Sequence, residues 1–490
     1  MCKIIYFYLC KQIDGMVKRY LHILLLTVCT ALGCGAQPKS TVYEPVCYED
    51  GTPVKDDPEA RALFAKDRFL ADTTVTQRND TIIVYSHSSA YIRLQLDKMP
   101  TGAGIDQITL VPMEGDPTVL PVTIPESGSL VLWMPRKPQK VPATAVIVQA
   151  KDGRVWSVRL PALKLKAGVA YQWTGTVLTP TPPAPRISAR ALSSTSLSEV
   201  EPGEHSGITW LSGNRYAVVD DNKKGGGILH FTIPIDDDGY VGTVSMRPAA
   251  ETANAKGATR DCEGIAYVPS LGTLYVASEK HQEIREYDLA GRETGKALQV
   301  PKDLSASAIT HNRGFEALTF NDATGLFWTT TEAPLPKDTF LPGILRLQSF
   351  TVDGKPAERF FYQTGEPEKS ANNAAAYVFG VPTLAALDDG RVLVLEREVY
   401  VPNGKLWDKL QKSFTRMDLY IVDPVHDTAG ILRKALLCSF RTGAMDLANF
   451  EGMCLGPTLP DGRRCLIMIA DSQKGAGGLT SEYVKVILLK

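Results

Sequence analysis

Acidic residues recur in this chain at matching points of repeated strand–turn–strand segments, and their chemistry is that of a hard-cation or phosphate site. Glu263, Glu316 and Glu451 each open such a segment. Asp220 with Asp221, Glu279, Glu332, Glu396 and Asp471 each close a second strand. His205, Arg260, Asp261, Asn312, Arg313 and Asn449 stand just upstream, and Arg397 follows Glu396. Carboxylates brought together repel, so they need a hard cation or raised pKa values to coexist. Calcium suits them, because it takes about six to eight oxygens in loose geometry. The expected metal ligands are Asp220, Glu263, Glu316, Glu332, Glu451 and Asp471. Arg260, Arg313, Arg397 and His205 are the substrate-binding candidates, the guanidiniums being suited to paired hydrogen bonds with phosphate oxygens. A metal-bound water, or a general base among Glu263, Glu316, Glu396 and Glu451, would carry attack on phosphorus. A structural role competes with this: the same glutamates would cap backbone amides and pair with the arginines, locking one repeat to the next.

The elements that must position these residues repeat too. SGITWLSGNRYAVVDDN from Ser206, EGIAYVPSLGTLYVASEK from Glu263 and EALTFNDATGLFWTTTEA from Glu316 are each a strand, a Gly/Asp turn and a second strand. PTLAALDDGRVLVLEREV from Pro382 and EGMCLGPTLPDGRRCLIMIADSQ from Glu451 continue the series. A third strand follows in each copy and a fourth apolar run in the first four, which is the pattern of propeller blades. RISARALSS, ahead of the first copy, supplies the strand that the last copy lacks. Five blades result, with six the alternative if a degenerate blade lies in a longer spacing. In a blade hairpin the start of the inner strand and the end of the second share one mouth, so the acids form one rim.

The EHSGI, RDCEGIAY, NRGFEALTF, LEREVY and NFEGM segments resemble the phytase-like family, also called esterase-like activity of phytase. The resemblance covers roughly residues 200 to 475 and implies a propeller with phosphoester-directed activity. Carried over residue by residue, it implicates Glu263, Glu316, Glu396, Arg397 and Glu451. Pro382 replaces the leading glutamate in the fourth copy; a ring with fewer acids holds fewer ions.

The expected fold class is all-β, a C-terminal propeller over 186–490 preceded by a small β-sandwich over 35–177, with a Pro-rich spacer at 178–185. The sandwich strands alternate over TIIVYSHS, AYIRLQLDKM, DQITLVPM, SLVLWMP, ATAVIVQAK, RVWSVRLPAL and AYQWTGTVL, after a helical span at Pro58 to Leu70. The ending, LPALKLKAGVAYQWTGTV, resembles the closing strands of fimbrillin-like domains in Bacteroidetes surface proteins. Ahead of them, Lys18 and Arg19 precede an apolar run that ends in Leu32-Gly33-Cys34, similar to the lipobox of bacterial lipoproteins. The reading is a leader over 1–34, lipid on Cys34, and a chain held at the outer membrane or cell surface by that anchor alone.

With 490 residues the chain is too long for one core, and 44% hydrophobic with 22% charged residues is a globular composition. The net charge of −1 and the lack of basic runs interleaved with aromatics exclude nucleic acid. No G-x-S-x-G elbow, H-E-x-x-H helix, P-loop or Cys/His zinc spacing occurs. Counting outwards from the turn sets Cys454 opposite Cys465, either bridged or as two reduced thiols. Two functions stay open: a calcium-dependent phosphoesterase acting on small phosphorylated substrates, and a non-catalytic surface propeller binding a glycan, peptide or partner protein.

Overall fold

The computed structural model describes residues 42–43, 47–48, 70–77, 80–86 and 90–490. Within the last range it omits 101–103, 121–128, 138, 167–168, 180, 183–184, 198, 255–258, 444–446 and 473–481. Cys34 and the leader lie outside the described residues, as does the expected helical span except Leu70. That residue instead opens a strand, Leu70–Gln77. Among the described residues no helix is long and apolar enough to cross a membrane. The chain is all-β and divides into two compact units, residues 1–153 with 160–177, and 154–159 with 178–490.

The first unit is built of short strands. Ala90–Asp97 lies between Val169–Thr176, which it meets in parallel, and Ser129–Arg136, which it meets antiparallel. Along Ala90–Asp97, Ile92, Leu94 and Leu96 are buried while Arg93, Gln95 and Asp97 keep partial exposure, the period-2 pattern of a sheet with one covered face. Thr144–Ala150 pairs antiparallel with Ile105–Pro112; its consecutive residues Ala145, Val146, Ile147 and Val148 are all buried, so both faces are covered.

The second unit consists of five four-stranded antiparallel sheets, numbered I to V here. Sheet I runs His205–Ser212, Arg215–Asp220, Ile228–Thr232 and Ser245–Pro248. Sheet II runs Cys262–Val268, Thr273–Ser278, Glu283–Tyr287 and Glu293–Ala297. Sheet III runs Phe315–Asn321, Leu326–Thr331, Ile344–Thr351 and Pro356–Gln363. Sheet IV runs Ala374–Ala386, Val392–Pro402, Phe414–Val422 and Ala435–Gly443. Sheet V takes Asn449–Thr458, Arg464–Asp471 and Tyr483–Leu489 from the end of the chain, and Ala189–Ser196 from its beginning pairs with Tyr483–Leu489.

Apolar alternation on these strands makes a core between each sheet and the next. Ala217 and Ile228 of sheet I meet Ile265 and Leu274 of sheet II. Tyr275 of sheet II meets Phe327 of sheet III, and Trp328 of sheet III packs with Leu384 of sheet IV. Leu395 of sheet IV joins Phe450 of sheet V, and Ile467 of sheet V joins Ile208 and Val218 of sheet I. The packing order thus returns to its start. Each such buried aliphatic or aromatic side chain contributes about 1.5–3 kcal/mol over exposure.

One pairing differs from the count made on sequence. Cys454 stands opposite Ile467, and Cys465 opposite Leu488. The ladder shifts between Leu455 and Thr458, where Pro457 has no amide hydrogen to donate. Both cysteines are free and buried in the core between sheets V and I.

Candidate functional site

A bulge recurs near the start of each inner strand. The ladder shifts at Ser206 in sheet I, beside Glu263 in sheet II, at Glu316 in sheet III and at Glu451 in sheet V; sheet IV shifts between Gly380 and Thr383. A bulged residue leaves the pleat and re-aims its side chain. The glycine in the Glu-Gly pairs has a steric reason. A Cβ on Gly264 would stand 2.7 Å from the carbonyl oxygen of Glu316, and one on Gly452 would stand 3.0 Å from that of Ser206. At Gly264 and Gly452 the neighbouring inner strands approach so closely that only glycine fits, and this closeness brings the glutamates of successive sheets into one cluster.

Among the described residues Asp221, Asp261 and Glu263 come together, their ligand oxygens all lying within 4.8 Å of one another. Asp221 follows the second strand of sheet I, and Asp261 precedes the inner strand of sheet II. Asp261 has a left-handed backbone, φ 57°, a conformation that aspartate tolerates better than most residues. Burial and the hydrogen-bonded Glu204 carboxyl beside it push Asp221 up to about 9. Glu263 keeps partial solvent access yet is closely surrounded; burial, then Glu451 and Asp221, raise it well above the carboxylate range. Burial and Asp471 push Glu451 up to about 8, against the opposing pull of Arg397. Burial and Glu332 raise Glu316, whose Oε2 is buried without a hydrogen-bond partner. Burial likewise raises Glu279, which is held partly by the amide of Gly314 at 2.7 Å.

Two guanidiniums face this cluster differently. Arg397 is buried, its side chain 2% exposed. Its Nη2 lies 2.5 Å from Glu332 Oε1 and 3.9 Å from Glu316 Oε2. Its Nη1 bonds Glu451 and reaches Asn449 Oδ1 at 3.0 Å. Burial works against its charge, and Glu451, Glu332 and Glu316 outweigh it. Arg313 is 32% exposed and bonds the other oxygen of Glu332 through Nη1 at 2.6 Å. Glu332 is therefore clamped between two arginines.

Other expected site residues lie apart. Arg260 turns to Glu283 at 3.0 Å. His205 is buried, its Nδ1 2.9 Å from Glu482 Oε2, where Glu482 also accepts from Ser472 and from the amide of Gly203. Asp220 is buried opposite His205 in the ladder and accepts from the amide of Asn222, so the trio contains Asp221 and not Asp220. Asp471 is buried opposite Asn449, near enough to raise both Glu451 and Asp221. Glu396 points to the opposite face of its strand from Arg397. It accepts from Tyr362 at 2.5 Å, from Lys434 and from the amide of Gly365 at 2.8 Å, between sheets III and IV. Glu204 and Glu398 were not singled out on sequence. Glu204 stands two residues before a bulge, as Asp261 and Asn449 do, and that spacing is its signal. Glu398 holds the amides of Glu368 and Lys369 at 2.9 and 2.7 Å.

The donor set fits a hard cation. Oxygens about 2.3–2.6 Å from one calcium stand no more than about 5 Å apart across it. The 4.8 Å spread of the Asp221, Asp261 and Glu263 oxygens is inside that limit. All three are hard carboxylate donors, and among the described residues no guanidinium forms an ion pair with any of them.

Five sheets packed in cyclic order around a mouth of bulge-borne acids define an all-β protein with an anionic, cation-competent site. The model of the phytase-like family, esterase-like activity of phytase, matches residues 201–473, and the chain belongs to that family. No curated protein matches it. Among solved structures it is similar to a DUF4221 family member from Bacteroides vulgatus, at 8% identity and TM-score 0.32, covering 62% of this chain and 98% of that one. A Bacteroides thetaiotaomicron protein of unknown function gives 10% identity and TM-score 0.29 over 87% and 99%. The β-propeller domain of Cps50 (Swd1) from Myceliophteria thermophila gives 10% and 0.27 over 61% and 99%.

Proposed function

We propose that this chain is a calcium-assisted phosphoesterase whose site is the acidic mouth of a five-bladed β-propeller. The observation that carries the reading is the convergence of Asp221, Asp261 and Glu263 within 4.8 Å. A cation there would neutralise phosphoryl oxygens and acidify a water. Arg313, partly exposed and bonded to Glu332 through Nη1 alone among its described contacts, would hold a phosphate oxygen. Glu316, its carboxyl raised and its Oε2 unpartnered, is placed to hold or pass a proton. The substrates are small phosphorylated molecules outside the cytoplasm. A β-sandwich precedes the propeller in the chain, which is exported and anchored by lipid on Cys34 to the outer membrane or cell surface.

A second reading has its own observation. Arg397 neutralises Glu332 and Glu451 from within, which is how a blade-locking network is built. On that reading the propeller is a non-catalytic module that binds a surface ligand. Phosphate release from p-nitrophenyl phosphate and from inositol hexakisphosphate, with calcium and with chelator, separates the two. Calcium-dependent release, lost in Asp261→Asn and Glu263→Gln, is the expected result. Wild-type protein inactive on both esters in calcium would leave the binding module.

A further inference from the structure

Between the outer strands of sheet I and the turn at Leu289–Ala290 of sheet II lies a cavity of about 460 Å3, within the range of small-molecule sites. Its wall follows from strand alternation. Residues opposite one another in a ladder share a face, so Tyr216, Phe231 and Met246 belong to one side of sheet I. Arg215, Thr232 and Ser245 form a row on the other side, and Ala217, His230 and Arg247 form the next. That second face looks toward sheet II, because Ala217 packs in the core they share and His230 Nε2 lies 2.7 Å from the carbonyl oxygen of Leu289. Near the inner strands the two sheets are in contact. Outward they leave room, and the row that lines the gap is basic.

We propose that this cleft binds a small organic anion with a flat or aliphatic body, at a site separate from the acidic mouth. Leu211 and Leu289 supply apolar surface for the body, Leu289 being 38% exposed although nothing polar requires it there. Arg215 and Arg247 supply the charge. Arg215 bonds Ser212 Oγ at 2.7 Å, a neutral partner, and Arg247 has no ion-pair partner among the described residues. His230 adds direction. Its Nε2 can only donate to a carbonyl, so the neutral ring presents Nδ1 as an acceptor and the protonated ring presents a third cationic donor. No carboxylate lines the cavity. The nearest acid of that turn, Asp288, accepts from the amides of Ala290 and Arg292 at 2.9 Å each and so is spent on the turn itself. A cleft with cations on one wall, apolar side chains beside them and no internal counterion is complementary to a carboxylate, sulfonate or phosphate on an apolar skeleton.

Two naphthalene probes of like shape test this: anionic 1-anilinonaphthalene-8-sulfonate and neutral N-phenyl-1-naphthylamine, titrated by fluorescence. Wild type should bind the sulfonate more tightly than the neutral dye. Arg215→Gln with Arg247→Gln should weaken the sulfonate about tenfold to a hundredfold, the worth of one or two charge-assisted hydrogen bonds, and leave the neutral dye unchanged. Both arginines are exposed, so the melting temperature of the double variant should match wild type, and that is measured alongside. Unchanged sulfonate binding in the double variant overturns the proposal. So does an equal loss of both probes, or a wild type that binds neither.

Discussion

Arg397 Nη2 lies 2.5 Å from Glu332 Oε1, a buried ion pair that joins the second strand of sheet IV to the end of the second strand in sheet III. Through Nη1 the same guanidinium reaches Glu451 of sheet V, so three consecutive sheets meet on one side chain. Removing one partner of a buried pair leaves an uncompensated charge and costs about 3–5 kcal/mol. Arg397→Gln should therefore lower the melting temperature severely, whereas Arg313→Gln, at a 32% exposed position on the same Glu332, should lower it little. Equal losses in the two variants would show that Glu332 needs both arginines for folding.

Stability of the metal-free protein should fall as pH rises. Folding lifts Glu451 to about 8 and Asp221 to about 9, from unfolded values of about 4. Between those limits the folded chain holds protons that the unfolded chain has released, so the stability these groups contribute is complete below the unfolded pKa and is lost as pH climbs through the folded values. Melting curves in chelator across that window, for wild type and for Glu451→Gln with Asp221→Asn, read the effect as a difference. The wild-type melting temperature should drop more steeply than that of the double variant; parallel slopes would remove the mouth as its cause.

What the sequence made legible, and what it hid, divides at the bulges. The strand–turn–strand copies stand out because their second strands are apolar runs buried on both faces and set off by Gly/Asp turns, and the family follows from the Glu-Gly segments. The glycine is legible for a steric reason, since Gly264 faces the Glu316 backbone. Register is another matter. An inserted residue turns every later side chain to the other face, and nothing in single-letter spacing marks where it sits. Asp220 and Asp221 are neighbours in sequence, yet one is buried in the ladder opposite His205 and the other joins the trio. Glu396 and Arg397 part in the same way, and the shift at Pro457 separates Cys454 from Cys465. The burial of His205 against Glu482 needed a partner 277 residues away.

The close approach at the bulges predicts an intolerance of the smallest side chain. Gly264→Ala would set a methyl group 2.7 Å from the Glu316 carbonyl oxygen and 2.8 Å from Leu318, both fixed by the sheet. Overpacking of this kind costs about 1–3 kcal/mol. Gly272→Ala, at a turn where a Cβ meets nothing, is the control for composition, although its positive φ of 65° adds its own strain. Gly264→Ala should lose more stability in chemical denaturation than Gly272→Ala; the reverse order would mean that sheets II and III can move apart at the mouth.

Anchoring is tested independently of the site. The apolar run ending in Leu32-Gly33-Cys34 predicts lipid on Cys34. Cys34→Ala should move the protein from the membrane fraction to the soluble one on cell fractionation. A variant that stays with the membrane would place the attachment elsewhere.

Calcium binding decides between a functional mouth and a structural one, and two glutamates on different faces give the contrast. A ligand that binds only the folded chain stabilises it by RT ln(1 + [L]/Kd), about 2.7 kcal/mol at a hundredfold excess over Kd. Asp261→Asn keeps shape and removes one charge from the trio, so it should abolish most of the calcium-dependent rise in melting temperature while costing little in chelator. Glu316→Gln, in the same mouth, should reduce that rise. Glu396→Gln acts on the Tyr362–Lys434 contact between sheets III and IV, so it should lower the melting temperature equally with and without the ion. If instead all three variants shift in parallel in calcium and in chelator, the acids serve the fold alone. The cation site, and with it the phosphoesterase reading, would then fall together.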